Sequence, residues 1–249
     1  MPSFMPKPEL VAHRGYAAKF PENTLPALEA AVAAGARHVE IDVQLSRDGV
    51  PMLFHDAELL RMTGRELVFF EQNADALARE TCFYPSGAEG PAATIPRLRT
   101  FIEFLREHPD VTAYVEIKEE SLDAFGIDTT VRQILADVQP AGQQVVLISF
   151  HLGALEMARA LGCGLRLGWV LHRWDAPSRL AALRVKPEFL ICNYTKIQPR
   201  IGALWPGPWA WMLYEVTQPQ LALDLAGLGA HFVETMQIEP MISALRKAR

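Results

Sequence analysis

The side chains best suited to chemistry crowd into the first third of the chain. The segments read V-A-H-R-G over Val11–Gly15, P-E-N-T over Pro21–Thr24, V-E-I-D-V over Val39–Val43, S-R-D-G over Ser46–Gly49 and L-F-H-D over Leu53–Asp56. Apolar runs end abruptly in His13 and in His55, an ending that adds nothing to packing. Imidazole titrates near neutrality, so two of them beside an acidic pair suit a general acid and a general base. Arg14 offers a planar fork for phosphate oxygens, and Gly15 lets the backbone approach a ligand closely. These are the parts needed to break a phosphodiester with a hard metal ion.

Side chains two apart on a strand point the same way, so Glu40 and Asp42 share a face. Like charges on a buried strand face repel and lose hydration, and a divalent cation relieves both costs. Only oxygen ligands are on offer, which suits Mg2+ or Ca2+ rather than zinc. An exposed strand end accounts for the pair equally well on spacing alone. Glu116 and Lys118 repeat the pattern in Y-V-E-I-K. Glu116 is the candidate third ligand, with Lys118 beside it to hold phosphate or the acids; a plain ion pair at a strand end is the alternative.

These groups need a scaffold that lines up strand ends, and the hydrophobic pattern supplies one. Strands are expected at Leu10–His13, His38–Leu45, Val50–Phe54, Val111–Ile117, Gln144–Ser149, Leu165–Leu171, Phe189–Cys192, Ala210–Val216 and His231–Thr235. Helices are expected at Thr24–Ala34, Pro96–His108, Ile127–Val138, Leu152–Leu161, Pro219–Leu228 and Pro240–Lys247. The first of these has Asn23 or Thr24 as N-cap and Gly35 as its stop. About eight strand–helix units in one domain spanning 1–249 imply a (β/α)8 TIM barrel, with an open doubly wound sheet as the alternative. Glu58–Ala93 breaks the alternation and reads as a small insertion on the catalytic face, after the second strand region.

Composition narrows the classes further. The 249 residues are half hydrophobic and about a fifth charged, with net charge −5 and a pI near 5.8. That disfavours a nucleic-acid partner, which needs a basic surface. Cys82, Cys163 and Cys192 form no C-x-x-C pair, so a reduced compartment is the simpler reading. Met1–Leu10 has no apolar run of the kind a signal peptide or membrane helix needs. A cytoplasmic protein with no transmembrane segment is therefore expected, and the sequence leaves its oligomeric state open.

Several tempting residues take bland roles. Asp56 is expected to cap or turn the chain after His55, Glu22 to brace its loop, and Asn23 and Thr24 to cap the helix. His38, His108, His151, His172 and His231 lack ligand spacing and are expected to be structural. Trp205, Trp209 and Trp211 are expected to pack the barrel. Glu215 is a weak candidate at a strand end.

In this order, His13-Arg14-Gly15, Glu22-Asn23-Thr24, Glu40-x-Asp42, Asp48-Gly49, His55-Asp56 and Glu116-x-Lys118 resemble the glycerophosphodiester phosphodiesterases. Arg61, Thr63, Gly64 and Ile95-Pro96-x-Leu98 look like the same family. The resemblance implies a barrel of the phospholipase C-like phosphodiesterase type. It implies His13 and His55 as the acid/base pair, with His13 as base and His55 as acid or the reverse. It implies Glu40, Asp42 and Glu116 as ligands of one divalent cation, Mg2+ or Ca2+, and Arg14 and Lys118 as the basic groups that bind phosphate. The implied substrate is a small-molecule glycerophosphodiester, split to sn-glycerol 3-phosphate and an alcohol. A lysophospholipase D, a non-catalytic phosphodiester-binding module and an amidohydrolase-type barrel are the rivals. The last expects His-x-His where His13-Arg14-Gly15 stands. The later half departs from the family: Tyr214-Glu215-Val216-Thr217 replaces Trp-Thr-Val-Asn, and Glu234-Thr235-Met236 replaces Ile-Thr-Asp. These changes bear on which alcohol is accepted.

Overall fold

The computed structural model describes residues 7–85, 89–197 and 202–247. Among them, nine strands form one sheet: β1 (Glu9–Ala12), β2 (His38–Leu45), β3 (Pro51–Leu53), β4 (Thr112–Ile117), β5 (Val145–Ser149), β6 (Arg166–Val170), β7 (Phe189–Asn193), β8 (Ala210–Tyr214) and β9 (Phe232–Thr235). The order is β1-β9-β8-β7-β6-β5-β4-β2-β3, and β1 also pairs with β2, so the sheet closes. All pairings are parallel except β2–β3. The result is the expected (β/α)8 barrel, with β3 as an antiparallel hairpin strand outside the ring.

Helices cover the ring: α1 (Leu25–Ala33), α2 (Leu60–Thr63), α3 (Ala74–Leu77), α4 (Leu98–Glu107), α5 (Glu119–Phe125), α6 (Ile127–Val138), α7 (Leu152–Ala160), α8 (Ala176–Val185), α9 (Pro219–Gly227) and α10 (Ile238–Lys247). The apolar stripe of α4, with Leu98, Phe101, Ile102 and Leu105 buried, is the helical spacing read from the sequence. The sequence pattern did not reveal α5 or α8. In α8 only Ala182 is buried, so no apolar stripe existed to be read; Asp175 starts the helix by accepting from Ser178 N at 2.9 Å. Between β7 and β8 the described residues hold a 3-10 turn, Tyr194–Lys196, in place of an α-helix.

Strand parity divides the core in two. Outward residues pack against the helices, and Trp205, Trp209 and Trp211 lie in this outer layer. Inward residues Val11, Tyr114, Val146, Ile148, Val170, Phe189, Ile191 and Met212 fill the barrel. Its floor is a set of edge-on rings, with His38, Tyr114, Phe189 and Phe232 centred 5.2–6.1 Å apart. The chemistry above therefore rests on a plug of side chains and not on a channel.

The segment after β3 builds a small core of its own. Met52, Phe54, Leu59, Met62, Phe69, Ala74, Leu77, Cys82 and Ile95 are buried together, and Phe54 stacks on Phe69 at 4.9 Å. This core anchors the insertion to β3. Cys82, Cys163 and Cys192 are free thiols. No described helix is long and apolar enough to cross a membrane.

Candidate active site

The C-terminal ends of the strands deliver the polar side chains to one mouth. On β2, Glu40 and Asp42 point inward and are buried. Register places Glu116 of β4 opposite Asp42. Ligand oxygens of Glu40, Asp42 and Glu116 all lie within 4.8 Å of one another. Lys118, just beyond β4, spans two of them, its Nζ 3.6 Å from Asp42 Oδ1 and 3.4 Å from Glu116 Oε1.

Chain reversal brings His55 to the same place. Ser46 and Gly49 close the turn after β2, and β3 runs back until Phe54 N donates to Asp42 O at 3.0 Å. Buried Gln44 pins the returning segment by donating to the carbonyls of Phe54, His55 and Asp56. His55 Nδ1 then meets Asp56 Oδ1 at 2.7 Å, leaving Nε2 for the pocket. Asp56 thus orients a histidine, a task beyond the turn expected of it.

Arg14 sits in the left-handed region at φ 55°, followed by Gly15 at φ 81°. A non-glycine residue held there costs about 1–2 kcal/mol. A Cβ on Gly15 would stand 2.7 Å from Ala27 C, so only glycine lets the loop lie on α1. The reward is aim. Arg14 N donates to Glu40 Oε2 at 3.2 Å, its Nε lies 3.0 Å from Asp42 Oδ2, and its Nη1 donates to Glu22 Oε1 at 2.8 Å. Glu22 and Asp56 both also bind Arg61 of α2.

Asn23 is a correction. The first residue of α1 is Leu25 and its N-cap is Thr24, which makes no side-chain cap bond. Asn23, at φ 57°, instead clasps Asp42: its Nδ2 donates to Oδ2 at 2.9 Å and its Oδ1 accepts from Asp42 N at 3.0 Å. Asn tolerates the left-handed region better than most residues, which was the one signal in the sequence.

Glu234 of β9 is the acid the motif reading passed over as a mere departure. It is 3% exposed, and its Oε1 lies 3.4 Å from His13 Nε2. His13 Nε2 is also 3.8 Å from Glu40 Oε2, and His13, Glu40 and Glu234 form a second potential ligand group. The other histidines are elsewhere engaged: His151 accepts from Ala154 N at the start of α7, His231 from Trp211 N, and His172 pairs with Glu119.

Eight of these groups line one cavity of about 200 Å3, with Glu22, Asn23, Asp56 and Arg61 behind them. One pole holds His13, Arg14, Glu40, Asp42, His55, Glu116, Lys118 and Glu234. The other is an apolar wall of Ile148, Phe150, Val170, Ile191 and Tyr214, with Asn193 and Glu215 beside it.

Charge at the polar pole is unbalanced. Burial, then Asp42 and Glu234, push Glu40 well above the usual carboxylate range. Burial and Asp42 push Glu116 up to about 7, against the pull of Lys118. Burial and Glu116 push Glu234 up to about 8. For Asp42, burial is outweighed by Arg14 and Lys118, which hold it below its ordinary value. Burial, helped by Arg14, lowers His13 to about 3, so its ring is neutral. Carboxylates forced toward their protonated forms by one another are what a dication would relieve. The acidic residues present therefore fit a hard divalent cation.

The sequence profile described as the glycerophosphoryl diester phosphodiesterase family matches residues 13–198. A glycerophosphodiester phosphodiesterase of Bacillus altitudinis is 31% identical over 61% of this chain and 62% of its own length. A glycerophosphodiester phosphodiesterase domain-containing protein 5 of Gallus gallus is 29% identical over 56% of this chain and 31% of its own. The alignments thus span less than two thirds of either relative. An Oleispira antarctica phosphodiesterase, solved in complex with the product sn-glycerol-3-phosphate, superposes with a TM-score of 0.81 at 22% identity, covering 97% of this chain and 98% of that one. At that identity the likeness speaks for the fold.

Proposed function

This chain belongs to the glycerophosphoryl diester phosphodiesterase family, and we propose that it hydrolyses glycerophosphodiesters to sn-glycerol 3-phosphate and an alcohol. One observation carries the reading. Two histidines from separate segments flank a three-carboxylate group in a single cavity that also presents Arg14 and Lys118.

In this reading Glu40, Asp42 and Glu116 hold the cation, Mg2+ or Ca2+. When bound, it supplies Lewis-acid stabilisation of the charge that grows on the phosphate. Arg14 is aimed by Glu22 and Asp42, and its guanidinium and the Lys118 ammonium are placed to grip the non-bridging oxygens. His13, with Nε2 3.4 Å from Glu234 and 3.8 Å from Glu40, is the base that would accept the attacking hydroxyl's proton. Glu234 and Glu40 face the imidazolium that results. His55, held by Asp56 through Nδ1, is placed to give a proton from Nε2 to the leaving alcohol. The attacking oxygen belongs either to water or to the substrate's own glycerol hydroxyl; in the second case the alcohol leaves with formation of a cyclic phosphate, which water then opens to sn-glycerol 3-phosphate.

The test is glycerol 3-phosphate release from glycerophosphocholine, with and without chelator. Activity that is unaffected by chelation and retained in His55→Ala refutes the mechanism. Faster turnover of lysophosphatidylcholine than of glycerophosphocholine would favour a lysophospholipase D instead.

A further inference from the structure

The cavity has a second pole for which the reaction itself has no need. Its wall is Ile148, Phe150, Val170, Ile191 and the Tyr214 ring, and among the described residues lining the cavity the polar groups beside it are Asn193 and Glu215. Phe150 is already flanked, by His172 at 4.6 Å and by Lys196 Nζ at 5.8 Å from the ring centre.

Glu215 is held there at a cost. Its φ is 67°, the left-handed region that a residue with a Cβ rarely adopts. Its Oε2 accepts from Asn193 Nδ2 at 2.6 Å. Asn193 is itself fixed, since its Oδ1 accepts from Thr195 N at 2.9 Å and from Thr195 Oγ1 at 2.6 Å. Among the described residues, no Lys, Arg or His lies within ion-pair distance of Glu215. Among the described residues, an exposed anionic oxygen thus sits at the rim of an apolar wall with no cation within ion-pair distance.

Resting on the proposed hydrolysis, we infer that Glu215 is a specificity-determining residue that selects a leaving alcohol bearing an amine or quaternary ammonium. With the phosphate at Arg14 and Lys118 and the glycerol hydroxyls at the carboxylate pole, the alcohol moiety is left to the β7–β8 side. A cationic headgroup with apolar methylenes or methyls matches that surface: carbon against Tyr214, Val170 and Ile191, charge against Glu215. A polyol headgroup does not, because it needs several donors and acceptors, and Asn193 has already committed its carbonyl and one amide hydrogen.

The experiment compares kcat/KM for glycerophosphocholine and glycerophosphoethanolamine with that for glycerophosphoglycerol and glycerophosphoinositol. It uses wild type, Glu215→Gln and Glu215→Lys, with Mg2+ or Ca2+ supplied. Gln keeps the acceptor for Asn193 and removes only charge. The ratio of cationic to uncharged headgroup turnover is expected to fall about two- to fivefold in Glu215→Gln, mainly through KM, as for loss of an exposed ion pair, and further in Glu215→Lys. Equal losses on both classes, which leave the ratio unchanged, mean that Glu215 only supports the loop and overturn the inference. A wild type that turns over all four diesters without preference also overturns it, and leaves the hydrolase reading intact. A wild type inert toward all four sinks that reading and this inference together.

Discussion

Arg61 and Glu22 form a two-pronged ion pair, Nη2 to Oε1 at 2.7 Å and Nη1 to Oε2 at 3.0 Å. The same guanidinium grips Asp56 through Nε at 2.6 Å and Nη2 at 3.0 Å. One side chain of the insertion thus ties down the acceptor that aims Arg14 and the acceptor that orients His55. The Arg61 side chain is about half exposed, at 49%, so its role lies in geometry and not in holding the fold. Arg61→Ala is expected to lower kcat/KM by about ten- to a hundredfold, the scale of a misplaced catalytic group, with a small change in Tm. Arg61→Lys, lacking the fork, is expected to recover only part. In a double-mutant cycle with Asp56→Asn the losses should be less than additive. Full additivity would show that the two act separately.

His13→Ala and His55→Ala are each expected to lower kcat by about 10²–10⁴-fold with KM little changed, as for loss of a general acid or base. Circular dichroism checks that each variant is folded. A variant that keeps wild-type kcat removes that histidine from the mechanism.

The polar pole makes stability depend on pH in an unusual direction. In the metal-free protein Glu116 and Glu234 titrate near 7 and 8, against an ordinary 4.5. Between about 4.5 and 8 the folded state therefore holds protons that the unfolded chain has released, and stability falls as pH rises. Melting of chelated protein should give a lower Tm near pH 8 than near pH 5, and Glu234→Gln should shrink the difference. Added Mg2+ or Ca2+ should raise Tm most at the alkaline end, because binding to the folded state alone stabilises it. A Tm that is flat across this range and indifferent to cation contradicts the charge imbalance.

Asn23→Ala removes both hydrogen bonds to buried Asp42 and forces Ala into the left-handed region. A loss of about 2–4 kcal/mol is expected from the buried Asp42 N–H left without its acceptor plus the backbone strain. Asn23→Gly relieves the strain but not the missing bonds, so it should recover part of the stability and none of the activity. Urea unfolding and steady-state assays separate the two, and an Asn23→Gly variant with wild-type stability and activity would count against the clasp.

The barrel was legible because parallel strands and amphipathic helices write their periods into the chain. Strand parity put Glu40 with Asp42 on one face and Glu116 with Lys118 on another, while the pairing of β2 with β4 set Glu116 opposite Asp42. What only the tertiary structure decided lies where the ring closes and where loops meet. Glu234 reaches His13 because β9 pairs with β1, a contact between opposite ends of the chain that no local pattern encodes. Asn23 looked like a helix cap because its type suits both jobs, and the left-handed backbone at Arg14 and Asn23 turned it toward Asp42. Asp56 and Glu22 were visible as loop residues and Arg61 only through the family resemblance, but their shared ion-pair network exists only once the insertion has packed on β3. Local sequence fixes which side chains share a face. Barrel closure and loop packing fix which faces meet, and burial then sets the charge each group can carry.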